Sequence, residues 1–83
     1  MIKEIQMIKM RKDINYLQNK YGFTYSSFAK LCGLALRTIR EFMIMNRNLS
    51  DKNFHILNDS IKTIKEQIKE AEEYQPNDNQ SST

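Results

Sequence analysis

The sequence predicts an all-α fold: helices joined by short turns and ending in a long C-terminal helix. Three observations predict it. The 83 residues include only two glycines and one proline amid abundant Ile, Leu, Met, Lys and Glu, a composition of helices joined by short turns. Apolar residues recur at spacings of three and four along most of the chain. Turn and cap residues fall between these periodic stretches rather than inside them.

Each helix can be justified in order. From Ile2 to Tyr21 the apolar positions Ile2, Ile5, Ile8, Met10, Ile14, Leu17 and Tyr21 keep the helical period, and Gly22 ends the run. Thr24 can cap a second, short helix by accepting from the amide of Ser26 or Ser27, with Phe28, Leu31 and Cys32 as its apolar face. Gly33 supplies a residue with positive φ, turning the chain into a third helix that begins near Ala35 and buries Ile39, Phe42 and Met43. The segment Met45-Asn46-Arg47-Asn48-Leu49 breaks the pattern. Ser50 or Asp51 then caps a last helix running to about Tyr74, before Pro76 and a polar tail expected to be disordered.

Composition excludes several classes of function. A domain of this size buries only about 60–65% of its unfolded surface, too little for a large enclosed active site. No paired-carboxylate cleft, phosphate-cradling glycine loop or nucleophile beside a base is visible, so the chain reads as a non-enzyme without cofactors. One cysteine and one histidine offer neither an internal disulfide nor a zinc set. Cys32, Met43 and Met45 read as core or near-core residues, and His55 receives no role. No apolar run approaches the roughly 18 residues of a membrane span, and the first residues lack the pattern of a secretory signal. A cytoplasmic protein is expected. Residues 1–47 hold nine basic against three acidic side chains, a formal +6, whereas residues 48–83 hold four against seven, a formal −3. Such asymmetry suits a chain with one face turned to a polyanion.

The strongest constellation lies where two helices meet through a glycine. Counting Tyr25 as the first position, small Ala29 is fifth, Gly33 ninth and β-branched Ile39 fifteenth, which meets the steric demands of a helix-turn-helix. Ala29 lets the next helix cross, Gly33 turns the chain, and Ile39 inserts between the two helices beside Phe28, Leu34 and Phe42. With Ile14-x-x-Leu17 before this unit, Arg37-Thr38-Ile39-Arg40-x-Phe42 within it and Asn46-Arg47-Asn48-Leu49-Ser50 after it, the sequence resembles the Cro and phage-repressor (lambda-repressor-like) helix-turn-helix family. The resemblance covers roughly Ile14 to Ile61. It implies four or five helices, binding to a double-stranded DNA operator, usually as a dimer, and control of transcription, as in phages, plasmids and bacteria. The chain then divides into an N-terminal helical extension with the start of the first helix (1–13), a helix-turn-helix DNA-binding domain (14–61), an extended C-terminal helix (62–74) and a tail (75–83).

Carried onto these residues, the resemblance implies base contacts from Leu36, Arg37, Arg40, Glu41 and Ile44, with Ala35 beside them. Arginine suits the task because its planar fork can donate twice to the O6 and N7 edge of guanine. Thr24, Tyr25, Ser26 and Ser27, and the loop residues Asn46, Arg47 and Asn48, would lie along the DNA backbone. The chain departs from the family where Tyr25, Leu36 and Ile44 replace polar residues. Apolar side chains there suit thymine methyl groups, or equally a protein partner, so the alternative function is a protein-binding module such as a mobile-element inhibitor, antitoxin or adaptor. The stripe Phe54, Leu57, Ile61, Ile64, Ile68, Ala71 outlasts the needs of the core. Two covers are open to it: a homodimer through Ile61, Ile64, Ile68 and Ala71 with Ile2 and Ile5, or the N-terminal isoleucines folding back within one chain.

Overall fold

A computed structural model describes residues 2–73; Met1, Tyr74, Pro76 and the expected disordered tail 75–83 lie outside the described residues. Four helices follow in order: α1 Glu4–Tyr21, α2 Tyr25–Cys32, α3 Leu36–Met43 and α4 Asp51–Glu73. None of the described helices is long and apolar enough to cross a membrane.

The ends of these helices follow from local chemistry. Before α1, the Lys3 amide donates to the Gln6 side chain at 2.9 Å, the half of a capping box that does not require an acceptor at the cap residue. Helix α1 closes on Gly22 at φ 78°, whose amide donates to the Gln18 carbonyl. Thr24 caps α2 by accepting from the Ser27 amide at 3.0 Å. At the end of α2, Gly33 stands at φ 72°, and its amide and that of Leu34 both reach the Ala29 carbonyl, at 2.9 and 3.1 Å. Ala35 serves as the cap residue of α3 rather than its first turn. Ser50, not Asp51, caps α4, its hydroxyl accepting from the Asn53 amide at 3.2 Å.

One core joins all four helices, centred on Ile14, Leu17, Phe28, Ile39, Phe42 and Leu57, each essentially sealed from solvent. Ala29 is buried against α3, as the crossing requires, while Leu34, Cys32 and Met43 are half-buried at the rim. Leu31, expected inside, is exposed, because successive helical residues differ by about 100° and the buried face of α2 runs through Phe28, Ala29 and Cys32.

The first helix uses a different face from the one its isoleucines suggest. Its buried stripe is Met7, Met10, Ile14 and Leu17, at spacings of three, four and three. Ile5, two positions before Met7, lies about 160° round the helix and is 71% exposed, and Ile8 also faces solvent. Ile2 precedes α1 and packs partly against the core.

This arrangement corrects the dimer assignment for Ile61 and Ile64. Both belong to the chain's own core, with Met7 and Met10 in the same cluster, so α1 supplies cover that was equally open to a second copy. Met10 lines a crevice with Phe54, the Lys65 ammonium lies 3.1 Å from Asp13, and the Tyr21 hydroxyl donates to Glu72 at 2.8 Å. That ordering means α1 and α4 run in the same direction. Ile68 is half-buried against the core, and Ala71 is exposed.

Candidate nucleic-acid interface

Helix α3 divides into two faces because its inward residues are three apart and its outward residues four apart. Ile39 and Phe42 are fully buried. Leu36, Arg40 and Ile44 form an outward ridge, with Arg37 and Glu41 as a second row beside it. Together with Met45 and Arg47 they line a single depression of about 540 Å³. All five residues expected at base edges are thus brought together. Leu36, Ile44 and Met45 are 39%, 59% and 56% exposed, an apolar concentration on a basic surface.

Ion pairing distinguishes the charged residues. Glu41 is half-buried, and its Oε2 lies 3.0 Å from Arg37 Nε and 3.8 Å from Arg47 Nη1. Arg40 makes no ion pair among the described residues. Surface pairs of this type contribute little to stability, so their consequence lies in where they hold the guanidinium groups.

The residues expected along a DNA backbone fall into two groups. Thr24 and Ser26 are exposed at the start of α2 and Ser27 is half-exposed, with the Thr24 and Ser27 hydroxyls 2.9 Å apart. Tyr25 packs partly on the core. None of these four reaches the depression. In the loop after α3, Asn46, Arg47 and Asn48 are exposed, and Asn46 adopts φ 57°, a left-handed conformation that asparagine tolerates better than most residues. The turn closes through the Arg47 amide, which donates to the Glu41 carbonyl at 3.1 Å.

Arg11 holds this loop, and its part was not legible in the sequence. Its Nε donates to the Phe42 carbonyl at 2.9 Å, its Nη2 to the Arg47 carbonyl at 3.2 Å and to Asn48 Oδ1 at 3.4 Å. The guanidinium carbon sits 4.3 Å from the centre of the Phe42 ring. A cation there meets the negative end of α3 and satisfies carbonyls that the helix leaves open. One signal was present: Arg11 falls four residues after Met7 and three before Ile14, at the edge of a buried stripe where a charge needs partners. Met45, read from the sequence as core or near-core, is instead exposed and lines the depression, because it lies beyond the last turn of α3 and past its buried face.

Other polar features are structural. Lys20 lies near the Tyr16 and Tyr21 rings, at 5.6 and 5.5 Å, and Phe23 stacks on Phe28. Bonding to Glu72 holds the exposed Tyr21 phenol above its ordinary pKa, and burial pushes the Cys32 thiol up despite a hydrogen bond with Ser60. Among the described residues, no three His, Cys, Asp or Glu side chains gather to hold a metal ion.

No protein-family model matches the chain, and no match was found among curated proteins or solved structures.

Proposed function

We propose that this chain is a sequence-specific, double-stranded DNA-binding transcriptional regulator of the Cro and phage-repressor type, a small cytoplasmic homodimer that represses by occupying an operator. The observation that carries the reading is α3 itself: a helix seated on the core through Ile39 and Phe42, whose outer face carries Arg37 and Arg40 beside exposed Leu36 and Ile44, with Arg47 in the loop that follows lining the same depression. Arginines on a seated helix suit the major groove, where their forks meet guanine edges and the apolar side chains meet thymine methyls. Thr24, Ser26 and Ser27 at the start of α2, and Asn46 and Asn48 in the loop after α3, offer exposed or half-exposed hydroxyl and amide groups suited to phosphate oxygens. The surplus of negative charge falls on the second half of the chain, mostly on α4.

Selection of bound duplexes from a random pool, followed by gel shifts, tests the proposal. Neutralising about six phosphates per dimer predicts a loss of about a thousandfold in affinity between roughly 50 and 200 mM salt. Arg40→Ala should relax preference at one base position, and Arg47→Ala should weaken all sequences alike. A complex indifferent to salt, or no complex with any duplex, would sink the reading.

The exposed Leu36, Ile44 and Met45 favour one second reading, a protein-binding module. Changing Arg37 and Arg40 to alanine, and separately Leu36 and Ile44 to serine, separates the two. Binding to duplex that depends on the arginines supports the regulator; a complex with a purified protein that survives their loss but not the serine changes supports the module.

A further inference from the structure

Between Asp13 and Asp51 the sequence contains a single acidic residue, Glu41, and it stands in the middle of the surface assigned above to DNA. A carboxylate there opposes the approach of phosphate, so its position calls for a physical reason. Its geometry supplies one. Glu41 accepts from Arg37 at the Nε position, 3.0 Å away, and that contact leaves both terminal nitrogens of Arg37 outward-facing donors. The Arg37 side chain is 86% exposed and otherwise free to sample many rotamers, whereas that of Glu41 is 27% exposed and set in the wall of the depression. Arg47 Nη1 lies 3.8 Å from the same carboxylate oxygen, near enough to attract it from the loop side but beyond hydrogen-bond distance. Arg40, by contrast, has no carboxylate beside it among the described residues.

We propose that Glu41 is a positioning residue that fixes the end of the Arg37 guanidinium for a two-bond contact with one guanine of the operator. This rests on the DNA-binding reading and deepens it by naming what one position of the half-site must be. An arginine already held in its fork orientation loses less rotamer freedom on binding, and the end-on pair of nitrogens matches guanine O6 and N7. Glu41 therefore weakens attraction to DNA in general and strengthens discrimination at one base.

Those two effects have opposite signs, which makes Glu41→Gln a decisive variant. Duplexes would be selected from a random pool by wild type, Glu41→Gln, Arg37→Ala and the double variant, and each variant measured on the selected duplex, on the same duplex with that guanine changed, and on a scrambled duplex. Circular dichroism melting checks that each variant is folded. Glu41→Gln should bind the scrambled duplex about threefold more tightly, because a repelling charge is gone, yet lose about two- to threefold of its preference for one guanine, the most an exposed pair of this spacing can contribute. Arg37→Ala should lose the same position, and the double variant should lose no more there than Arg37→Ala alone. Replacing that guanine with its 7-deaza form, which lacks the N7 acceptor, should weaken wild type but not Arg37→Ala. Unchanged or sharpened preference in Glu41→Gln, or a lost position different from that of Arg37→Ala, overturns the assignment while leaving DNA binding intact. Failure of the wild type to select any duplex overturns both.

Discussion

Replacing Arg11 should cost this small domain a large part of its stability, although sequence inspection would pass over it. Its best bond, to the Phe42 carbonyl at 2.9 Å, is partly buried, and a hydrogen bond from a charged donor contributes about 1.5–3 kcal/mol. The bonds to Arg47 and Asn48 at 3.2 and 3.4 Å are exposed and long and add little. Stacking on the Phe42 ring contributes about 0.5–1 kcal/mol and the charge at the end of α3 about 0.3–1 kcal/mol. Discounting for overlap among these effects, Arg11→Met, which keeps an apolar stem, should lose about 2–3 kcal/mol. Arg11→Lys keeps the charge but not the fork and should recover only part of that loss. Urea unfolding followed at 222 nm measures both, and for a domain of this size 2 kcal/mol corresponds to a fall in Tm of about 10 °C. A loss below about 0.5 kcal/mol for Arg11→Met, or a lysine variant as stable as wild type, would refute the assignment of the loop anchor to the guanidinium geometry.

Further expectations follow from single features. Gly33→Ala meets no atom within 4 Å of its new Cβ, so its cost is conformational, about 1–2 kcal/mol less a part regained from the stiffer unfolded chain; equilibrium unfolding showing more than about 3 kcal/mol would point instead to a packing role. The Tyr21 phenol is held protonated by its bond to Glu72, so the stability it adds is present below its ordinary pKa of about 10 and is lost as pH rises through the raised folded value. The difference in unfolding midpoint between wild type and Tyr21→Phe should therefore close in alkali, and a gap that stays constant to about pH 12 would contradict it. Burial that pushes the Cys32 thiol up leaves little thiolate near neutrality, so iodoacetamide should label native protein severalfold more slowly than urea-unfolded protein; equal rates would count against a half-buried thiol. With Ile61 and Ile64 inside the core, the proposed dimer must use residues left outside, of which Ile5 is the most exposed large apolar side chain. Ile5→Glu should convert dimer to monomer in sedimentation equilibrium without loss of helix, and a wild type that is monomeric throughout would exclude the dimer.

What could be read in advance, and what could not, divides along the range of each interaction. The α2–α3 unit was legible because Thr24, Ala29, Gly33 and Ile39 each answer a constraint acting within one turn or one crossing, where few residue types fit. The outward positions Leu36, Arg37, Arg40, Glu41 and Ile44 came from the family resemblance, which named them together, rather than from any periodicity. The phase of α1 was not legible. Isoleucine outranks methionine in hydropathy, so Ile5 and Ile8 drew the apolar face toward themselves, and only the seating against α4 selects the face carrying Met7 and Met10. The stripe on α4 likewise announced that it needs cover without saying whose, because a parallel helix of the same chain and a second copy bury the same side chains equally well. Arg11 lies 31 residues from Phe42 and 36 from Arg47, and its partners are backbone carbonyls, which no sequence pattern identifies. The pairing of Arg47 with Glu41 depends on Asn46 turning left-handed, which a string of polar loop residues does not reveal. The composition of the outer face of α3 was therefore readable, but its fastenings were not: Arg11 bonds the end of α3 and the loop, and Glu41 pairs with Arg37 and lies 3.8 Å from Arg47. An arginine that meets phosphate gives salt-dependent affinity; one presented to a base edge gives preference for that base. In the proposed complex, Glu41, expected among the base contacts, acts instead by holding Arg37, and Arg11 acts by holding the loop that carries Arg47.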